Sequence, residues 1–557
     1  MIESKLGEPR VAALVAEGRR LLDSALAADA IELLGRAIAA RPDDVEAARW
    51  LAEAQLVADA TADARRTLDA ALEIAPHDSD LVMLKAEAAL KDRALGEAGA
   101  LLDAALAVRP GDAALLAERA RVCLHAGEPA AGIAALDRCL AIEPGNLEAQ
   151  SLRILLASYD PAITTERLKA LQRAWRGPPP DQPALRAERR DGPLRVGYVC
   201  CGLYRHATAT VAAAVLLNHD PAKVEAYCYS GSRKRDRATM QIRMAVKGWR
   251  TIVGLDDAAA AAQIRADGID ILVDVDGHFP HNRLGVFARR AAPVQLSAWG
   301  YVAGPGTPGV DYLLTDEAIA PDAERAFFPE RIVRLPCAQP YTPDLMPRPG
   351  PAAPAERAAG PIRFGCFNRL DKLTDASLAL WGRILAACPD ATLTLKDPFL
   401  GDPARQARVL AGLARGGAAP GQATFEAGEP HGRYLAAFDR IDVALDPFPV
   451  SGGVTTLDGI SQGVAAITLA GQAPPGRITA SILAYAELAD GVCDSEAAYL
   501  QQAVALARDP ARLADLRRRT LAARARFSAS AMRHYTAEVE AAYAEIWARR
   551  LAAPPLA

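Results

Sequence analysis

The chain has no CxxC pair, no concentrated basic surface, no long uninterrupted apolar run, no GxxxxGK[ST] signature, and no GxGxxG between a strand and a helix, since its one such spacing, GPGTPG at 304–309, leads into the strand-like run DYLLTDE. Each absence removes a class of function. Its nine cysteines are scattered, with one adjacent pair at Cys200 and Cys201, so they read as reduced thiols and not as a zinc site or a disulfide framework. A formal net charge of -4 gives no overall reason to expect nucleic-acid binding. The opening MIESKLGEPR lacks a charged-then-apolar signal region, and no stretch is long enough to span a bilayer, so cytoplasmic residence is the expectation. Without the two glycine-rich fingerprints, a dehydrogenase or a P-loop enzyme is disfavoured. The alanine-rich usage, with aromatic residues at only 5%, is the bias of a high-GC bacterial genome and carries no mechanism.

What is present begins with a repeat. Pro42, Pro76, Pro110 and Pro144 stand 34 residues apart, each with a leucine eight positions upstream at Leu34, Leu68, Leu102 and Leu136. Ile38, Leu72, Leu106 and Leu140 lie four positions upstream, and Asp44, Asp78, Asp112 and Asn146 follow two positions downstream as natural helix N-caps. This period and pattern are those of the tetratricopeptide repeat. A helical hairpin of this kind cannot bury its own apolar face, so stacking builds the core and a concave side remains for a partner polypeptide.

A length of 557 residues, 51% of them hydrophobic, suits roughly two to four domains. Residues 1–158 read as the repeat domain, and 159–193, rich in proline and charge, as a linker. From Leu194 short apolar runs alternate with helical patterns: LRVGYVC, EAYCYS, IDILVDVDG, VQLSAWG and DYLLTDE. A Pro/Ala/Gly-rich break at 342–361 separates this first lobe, 194–341, from a second, 362–553, with IRFGCFN, ATLTLKD, ATFEAGE, IDVALDPFP and VAAITLAG. The rhythm predicts two doubly wound α/β halves with a ligand cleft at the carboxyl ends of their strands.

Two segments could carry chemistry. In DPFPVSGGVTTLDGISQG a strand runs into Ser451, Gly452 and Gly453, then Thr455 and Thr456, and then a helix. Glycines let backbone amides approach an anion, hydroxyls add donors and the helix start adds positive potential, so the segment suits a phosphate cradle or a plain βα turn. Asp458 is expected in that helix's first turn, capping it or accepting a ribose hydroxyl. In GCFNRLDKLTDASLALW, Asn368 and Lys372 lie just beyond a strand, where a lysine can neutralise a leaving phosphate. The DVD triplet Asp274–Asp276 ends a buried strand and is not read as a metal site.

Together with GYVCCGLYRH, GHFPHNRLGVFARRAAPVQ and GYVAGPGTPGVDYLLTDE, these segments resemble the O-linked N-acetylglucosamine transferase family, over nearly the whole chain. The resemblance implies an α-helical tetratricopeptide-repeat solenoid followed by an α/β GT-B fold of two Rossmann-like lobes. It also implies inverting, metal-independent transfer of a sugar from a nucleotide donor to protein Ser or Thr hydroxyls, with no cofactor. His206 falls on the family's active-site histidine and Lys372 on its diphosphate-contacting lysine, the catalytic pair. Asn368, Tyr434, Ser451, Gly452, Gly453, Thr455, Thr456 and Asp458 fall on the donor site, and His278 and Tyr301 on cleft-lining positions; His281 reads as an ordinary turn residue. The chain departs from the family at Gly202, at GYVAGPGTPG, at Val454 and at Tyr434, which stands where the family packs a histidine on uracil unless a small gap restores His431. Those departures cluster at the donor site and direct the expectation to a different donor, a CMP-nonulosonic acid, with flagellin as the acceptor. The alternatives are a UDP-N-acetylglucosamine-dependent transferase and a degenerate repeat adaptor or chaperone.

Overall fold

The computed structural model describes residues 8–180, 185–188, 191–342, 345, 360–429 and 431–552. Helical hairpins come first: α1 (Glu8–Asp23), α2 (Ala27–Ala40), α3 (Val45–Val57), α4 (Thr61–Ile74), α5 (Ser79–Lys91), α6 (Leu95–Val108), α7 (Ala113–Ala126), α8 (Pro129–Ile142), α9 (Leu147–Ser158) and α10 (Thr165–Arg173). The repeat chemistry read from the sequence holds in detail. Asp44, Asp78, Asp112 and Asn146 accept hydrogen bonds from the backbone of Ala47, Leu81, Leu115 and Ala149 at 2.9, 3.0, 3.1 and 2.9 Å, starting α3, α5, α7 and α9. Each such cap contributes about 1 kcal/mol. Leu34, Leu68, Leu102 and Leu136 are fully buried between neighbouring helices. The capping side chains are therefore spent within the chain and do not form a partner-facing polar ladder.

The stretch 159–193 is more than a linker. It contains α10, which docks on the first lobe: Lys169 Nζ donates to the carbonyls of Ala303 and Gly304, and Gln172 Nε2 donates to Gly304 O at 2.8 Å. Trp175 behind it is almost completely buried.

The first lobe holds β1 (Leu194–Cys200), α11 (Ala207–Leu216), β2 (Val224–Ser230), α12 (Arg237–Ala245), β3 (Gly248–Thr251), α13 (Asp257–Ala266), β4 (Ile271–Asp274), α14 (Leu284–Ala288), β5 (Val294–Ala298), β6 (Tyr312–Thr315) and β7 (Arg331–Arg334). They form a seven-stranded parallel sheet ordered β3-β2-β1-β4-β5-β6-β7. The second lobe runs β8 (Arg363–Cys366), α15 (Asp375–Ala387), β9 (Thr392–Lys396), α16 (Pro403–Arg415), β10 (Ala423–Glu426), α17 (His431–Ala437), β11 (Val443–Leu445), α18 (Val454–Ser461), β12 (Ala465–Leu469), α19 (Ile478–Tyr485), β13 (Val492–Cys493), α20 (Glu496–Arg508), α21 (Pro510–Ala523) and α22 (Ala529–Ala552). Its six-stranded parallel sheet is ordered β10-β9-β8-β11-β12-β13. Most of the expected break at 342–361 lies outside the described residues.

Strand order reverses between β1 and β4 and again between β8 and β11, and a doubly wound sheet opens its ligand crevice at such switch points. His206 follows β1, the DVD carboxylates end β4, Asn368 and Lys372 follow β8, and the glycine-serine loop follows β11. Topology therefore brings the two sequence segments to one crevice. The final helix, α22, returns to the first lobe, where Glu540 Oε1 accepts from Asp220 N at 2.8 Å and Tyr535 OH donates to Cys337 O at 2.8 Å. One buried apolar cluster joins Leu102 of the repeats to Tyr198 of the first sheet, Leu395 of the second and Tyr543 of α22.

Candidate active site

A cleft of about 790 Å³ opens where the two lobes and the repeats meet. Its second-lobe wall is built on Asp446, the residue after β11. Asp446 is buried; Oδ1 accepts from Gly452 N at 2.7 Å and Oδ2 from Thr468 Oγ1 at 2.7 Å, while burial raises the carboxyl to about 6. These bonds fold the loop back on its strand and point the Ser451 carbonyl at Lys372, whose Nζ donates to it at 2.6 Å. Burial, and secondly the Arg369 guanidinium, lower the lysine to about 8. Arg369 itself is held by Asp371 and by Tyr159 OH of the repeats, each at 2.9 Å.

The helix α18 starts at this point, and its N-cap, Gly453, supplies no side-chain cap. Gly453 and Thr455 line the cleft, so the free amides and positive end of α18 face the same space as Lys372. Three expected donor residues are not on that wall. Ser451 Oγ lies 3.2 Å from Pro475 O, Gly452 N is spent on Asp446, and Thr456 Oγ1 lies 2.9 Å from Thr479 Oγ1, so these three turn into the lobe while Gly453, Val454 and Thr455 between them line the cleft. Asp458 does line the cleft, but it sits in the second turn of α18 and accepts from Tyr341 OH at 2.7 Å, so it does not cap the helix. Asn368 and Tyr434 are on the wall, with Tyr434 edge-on to Phe438; the side chain of His431 lies outside the described residues.

Across the cleft, His206 is the N-cap of α11. Its Nδ1 accepts from Thr208 N at 3.2 Å. The ring is open to cleft solvent, yet surrounding protein desolvates its charged form, and Arg369 and Lys234 add to the effect, lowering it to about 4. At neutral pH the ring is therefore uncharged, and with Nδ1 accepting, its proton sits on Nε2. A Cβ at position 202 would fall 2.8 Å from Nδ1, so the departure to Gly202 makes room for this histidine.

The two other histidines exchange the places expected of them. His278 is fully buried, with Nδ1 3.1 Å from Ser151 Oγ and Nε2 2.8 Å from Pro305 O, and it does not line the cleft; it ties α9 to the first lobe. His281, read as an ordinary turn residue, is on the cleft wall, and Tyr301 lines it as expected. Asp274 and Asp276 are interior groups, raised to about 6 and about 7, in both cases chiefly by burial. Asp276 also reaches the cleft floor and accepts from Cys201 N at 2.6 Å. Among the described residues no group of three or more His, Cys, Asp or Glu side chains comes together to hold a metal ion.

Sequence reasoning missed the repeat-side wall, made by Arg121 and His125 of α7 with Tyr159 after α9, and it missed Asp446 as the organiser of the loop. A signal for Asp446 was available in its place directly after a switch-point strand; for Arg121 there was none, since it occupies an ordinary repeat position.

Residues 151–339 and 357–539 match the profile of glycosyl transferase family 41, and residues 21–88 match a tetratricopeptide repeat. The chain belongs to glycosyl transferase family 41. This family-41 chain is 34% identical over 370 residues to the probable UDP-N-acetylglucosamine--peptide N-acetylglucosaminyltransferase SPINDLY of Oryza sativa, covering 64% of this chain and 39% of that one. Against the SPINDLY of Arabidopsis thaliana it is 35% identical over 336 residues, covering 58% and 36%. The chain thus spans well under half the length of these curated relatives. The structure of a variant of the Thermobaculum terrenum O-GlcNAc transferase superimposes with a TM-score of 0.84 at 32% identity, covering 91% of this chain and 98% of that one. The family-41 assignment thus agrees with the repeat solenoid and two-lobed GT-B architecture seen here.

Proposed function

We propose that the protein transfers a sugar from a nucleotide-sugar donor to Ser or Thr hydroxyls of a polypeptide, inverting the anomeric centre without a metal. The observation that carries this reading is the cleft wall on which Lys372 and the uncapped start of α18 converge. Such an arrangement stabilises negative charge developing on a leaving diphosphate. The acceptor oxygen attacks the anomeric carbon, and the bond from that carbon to the phosphate oxygen breaks. The diphosphate departs with the electron pair, and the hydroxyl proton passes to it or to water. His206, with its proton on Nε2, donates a hydrogen bond across the cleft and orients the reactants. Lys372 supplies the cationic charge that a metal provides elsewhere.

For the donor, the similarity to UDP-N-acetylglucosamine--peptide N-acetylglucosaminyltransferases and to an O-GlcNAc transferase supports UDP-N-acetylglucosamine; nothing supports the CMP-nonulosonic acid and flagellin reading, and nothing in the site favours the adaptor. A cytoplasmic setting is kept as part of the proposal; no helix among the described residues is long and apolar enough to cross a membrane. The test is single-turnover transfer to a serine/threonine peptide library with uridine, guanosine and cytidine nucleotide sugars, read by intact mass. Mass gain dependent on Lys372 supports the reading, and its size names the sugar. No gain with any donor overturns it.

A further inference from the structure

Beside the cleft lies a second groove of about 780 Å³, and Tyr204 and Arg205 line both cavities, so the two adjoin at these residues. One wall of the groove is the α1–α2 and α3–α4 turns of the repeats; the other is the first-lobe segment that leads into α12. That lobe wall carries Arg205, Arg233, Lys234, Arg235 and Arg237 in a chain whose overall charge is negative. The cations divide into two sets by their partners. Arg233 is fully engaged, with Asp23 at 2.6 Å and Glu53 at 2.5 Å, and Lys234 lies 3.7 Å from Asp59, which Lys91 also holds at 2.7 Å. Arg235 donates to the Ser24 carbonyl at 2.6 Å and meets no carboxylate, and Arg205 and Arg237 form no ion pair among the described residues.

The local acids do not answer this set. Asp236 is used as the cap of α12, accepting from Thr239 N at 3.0 Å and Arg205 N at 2.6 Å. Asp29, exposed on the repeat wall, is the remaining acid lining the groove. Crowding shows in the cations themselves: burial and then Lys91 lower Lys234, and burial and then Arg243 lower Arg235. An anionic occupant would relieve that crowding.

We propose that this groove binds an acidic segment of the acceptor polypeptide, its carboxylates meeting Arg205, Arg235 and Arg237 while its hydroxyl residue lies at His206. The inference rests on the transfer reading above. An extended peptide advances about 3.3 Å per residue, and Arg205 adjoins His206 in sequence, so the acidic side chains fall within a few residues of the modified one. The solenoid thus contributes one wall of a path, and the lobe contributes the charge that selects what lies in it.

The test is fluorescence anisotropy of the whole chain with 16-residue probe peptides. Each has one central serine and a flank of four glutamates or four lysines, on either side. The glutamate peptide is expected to bind at least about tenfold tighter at low salt, with the advantage shrinking at high salt, as exposed charge pairs dictate. Arg235→Glu with Arg237→Glu is expected to weaken it about tenfold at an unchanged melting temperature, and Asp29→Lys to strengthen it about threefold. Equal affinity for the two flanks, or indifference to both substitutions, overturns the proposal. So does displacement of the peptide by a 16-nucleotide oligouridylate at lower concentration than unlabelled peptide, which would mark a nucleic-acid site. Binding needs no turnover, so the two readings fail separately: preference without transfer by any donor sinks only the function, and transfer without preference sinks only the groove.

Discussion

Replacing Lys372 with methionine should abolish transfer without unfolding the protein, and the two effects can be sized from the structure. Methionine keeps the length and apolar stem of the side chain and removes the charge that Nζ brings to the Ser451 carbonyl. Losing one preorganised donor at a developing oxyanion costs about 10²–10³ in rate, or ~3–4 kcal/mol of transition-state stabilisation. The folded state balances differently. The lysine's fall from 10.5 to about 8 corresponds to a penalty of roughly 1–3 kcal/mol for keeping the cation in the cleft wall, discounted for its partial exposure. That penalty disappears in the variant, while the Ser451 carbonyl loses a donor at a cost of about 1–3 kcal/mol. The terms offset, so the melting temperature should stay within about 3 °C of the parent. Rate would be followed by intact mass under single turnover and stability by calorimetry. A collapse of melting temperature alongside activity would refute the reasoning, because the lysine would then be a strut of the 446–453 loop and not a charge held for a ligand.

The protonated lysine is the form that attracts a diphosphate, so calorimetric affinity for nucleoside diphosphate should be level below pH 8 and fall up to about tenfold per unit above it; an affinity flat to pH 9.5 would exclude the contact. Asp276, raised to about 7 from 3.8, binds more protons folded than unfolded between those values, so its contribution to stability falls as pH rises through that window. Asp276→Asn, which keeps an acceptor for Cys201 N, should stabilise the chain by on the order of 2 kcal/mol above pH 7, with no gain near pH 4; a pH-independent difference would contradict the assignment. Glu324→Leu should cost about 1–3 kcal/mol in denaturant melts. It strips Arg477 of contacts at 2.6 and 3.0 Å at the point where Thr165 of α10 joins both lobes, and a loss under 0.5 kcal/mol would show the node to be dispensable.

Periodicity made the repeats legible down to their caps, because a helix N-cap depends on local chemistry alone. The longer strands were legible as apolar runs, whereas β3, β7 and the two-residue β13 were not: Gly248–Thr251 and Arg331–Arg334 are short, polar and partly exposed edge or near-edge strands. His206 and Lys372 were found from motif and strand-end position. His278 was misplaced because nothing local distinguishes a histidine facing a cleft from one three residues away that is buried against another module. The serine-glycine loop was read as a whole, yet Ser451, Gly452 and Thr456 turn inward while Gly453 to Thr455 face the ligand space, and only the hydrogen bonds of Asp446 and Thr479 determine that division. Contacts between modules, such as Tyr159 with Arg369, join residues 210 positions apart and leave no pattern in either segment.

Those contacts bear on how the repeats should be tested. Deleting residues 1–158 would remove Leu102, Val122 and Ala126 from the apolar cluster shared with both lobes and expose the lobe residues of that cluster, so lost activity would report misfolding as readily as lost acceptor recruitment. A narrower perturbation lies at the carboxyl end of α7. There Gly127 adopts a left-handed cap, and Arg405 and Arg408 of α16 each donate to the Ala126 carbonyl at 3.0 Å, bringing cations to the negative end of the helix dipole. Charged hydrogen bonds of this kind contribute about 1.5–3 kcal/mol each where desolvated and less at a partly open junction. Arg405→Ala with Arg408→Ala should therefore weaken the docking of α7 by ~2 kcal/mol while leaving the repeat core intact. Amide exchange would show this as faster exchange confined to the ends of α7 and α8 and to the turn carrying Lys372. Transfer to a peptide should fall through a raised KM, with hydrolysis of the donor unaffected, if the proposed acceptor lies against the repeat-side wall of the cleft, which Arg121 and His125 of α7 line. Equal loss of transfer and hydrolysis would mean that α7 supports the lysine and not the acceptor, and the division of labour between solenoid and lobes drawn here would fail.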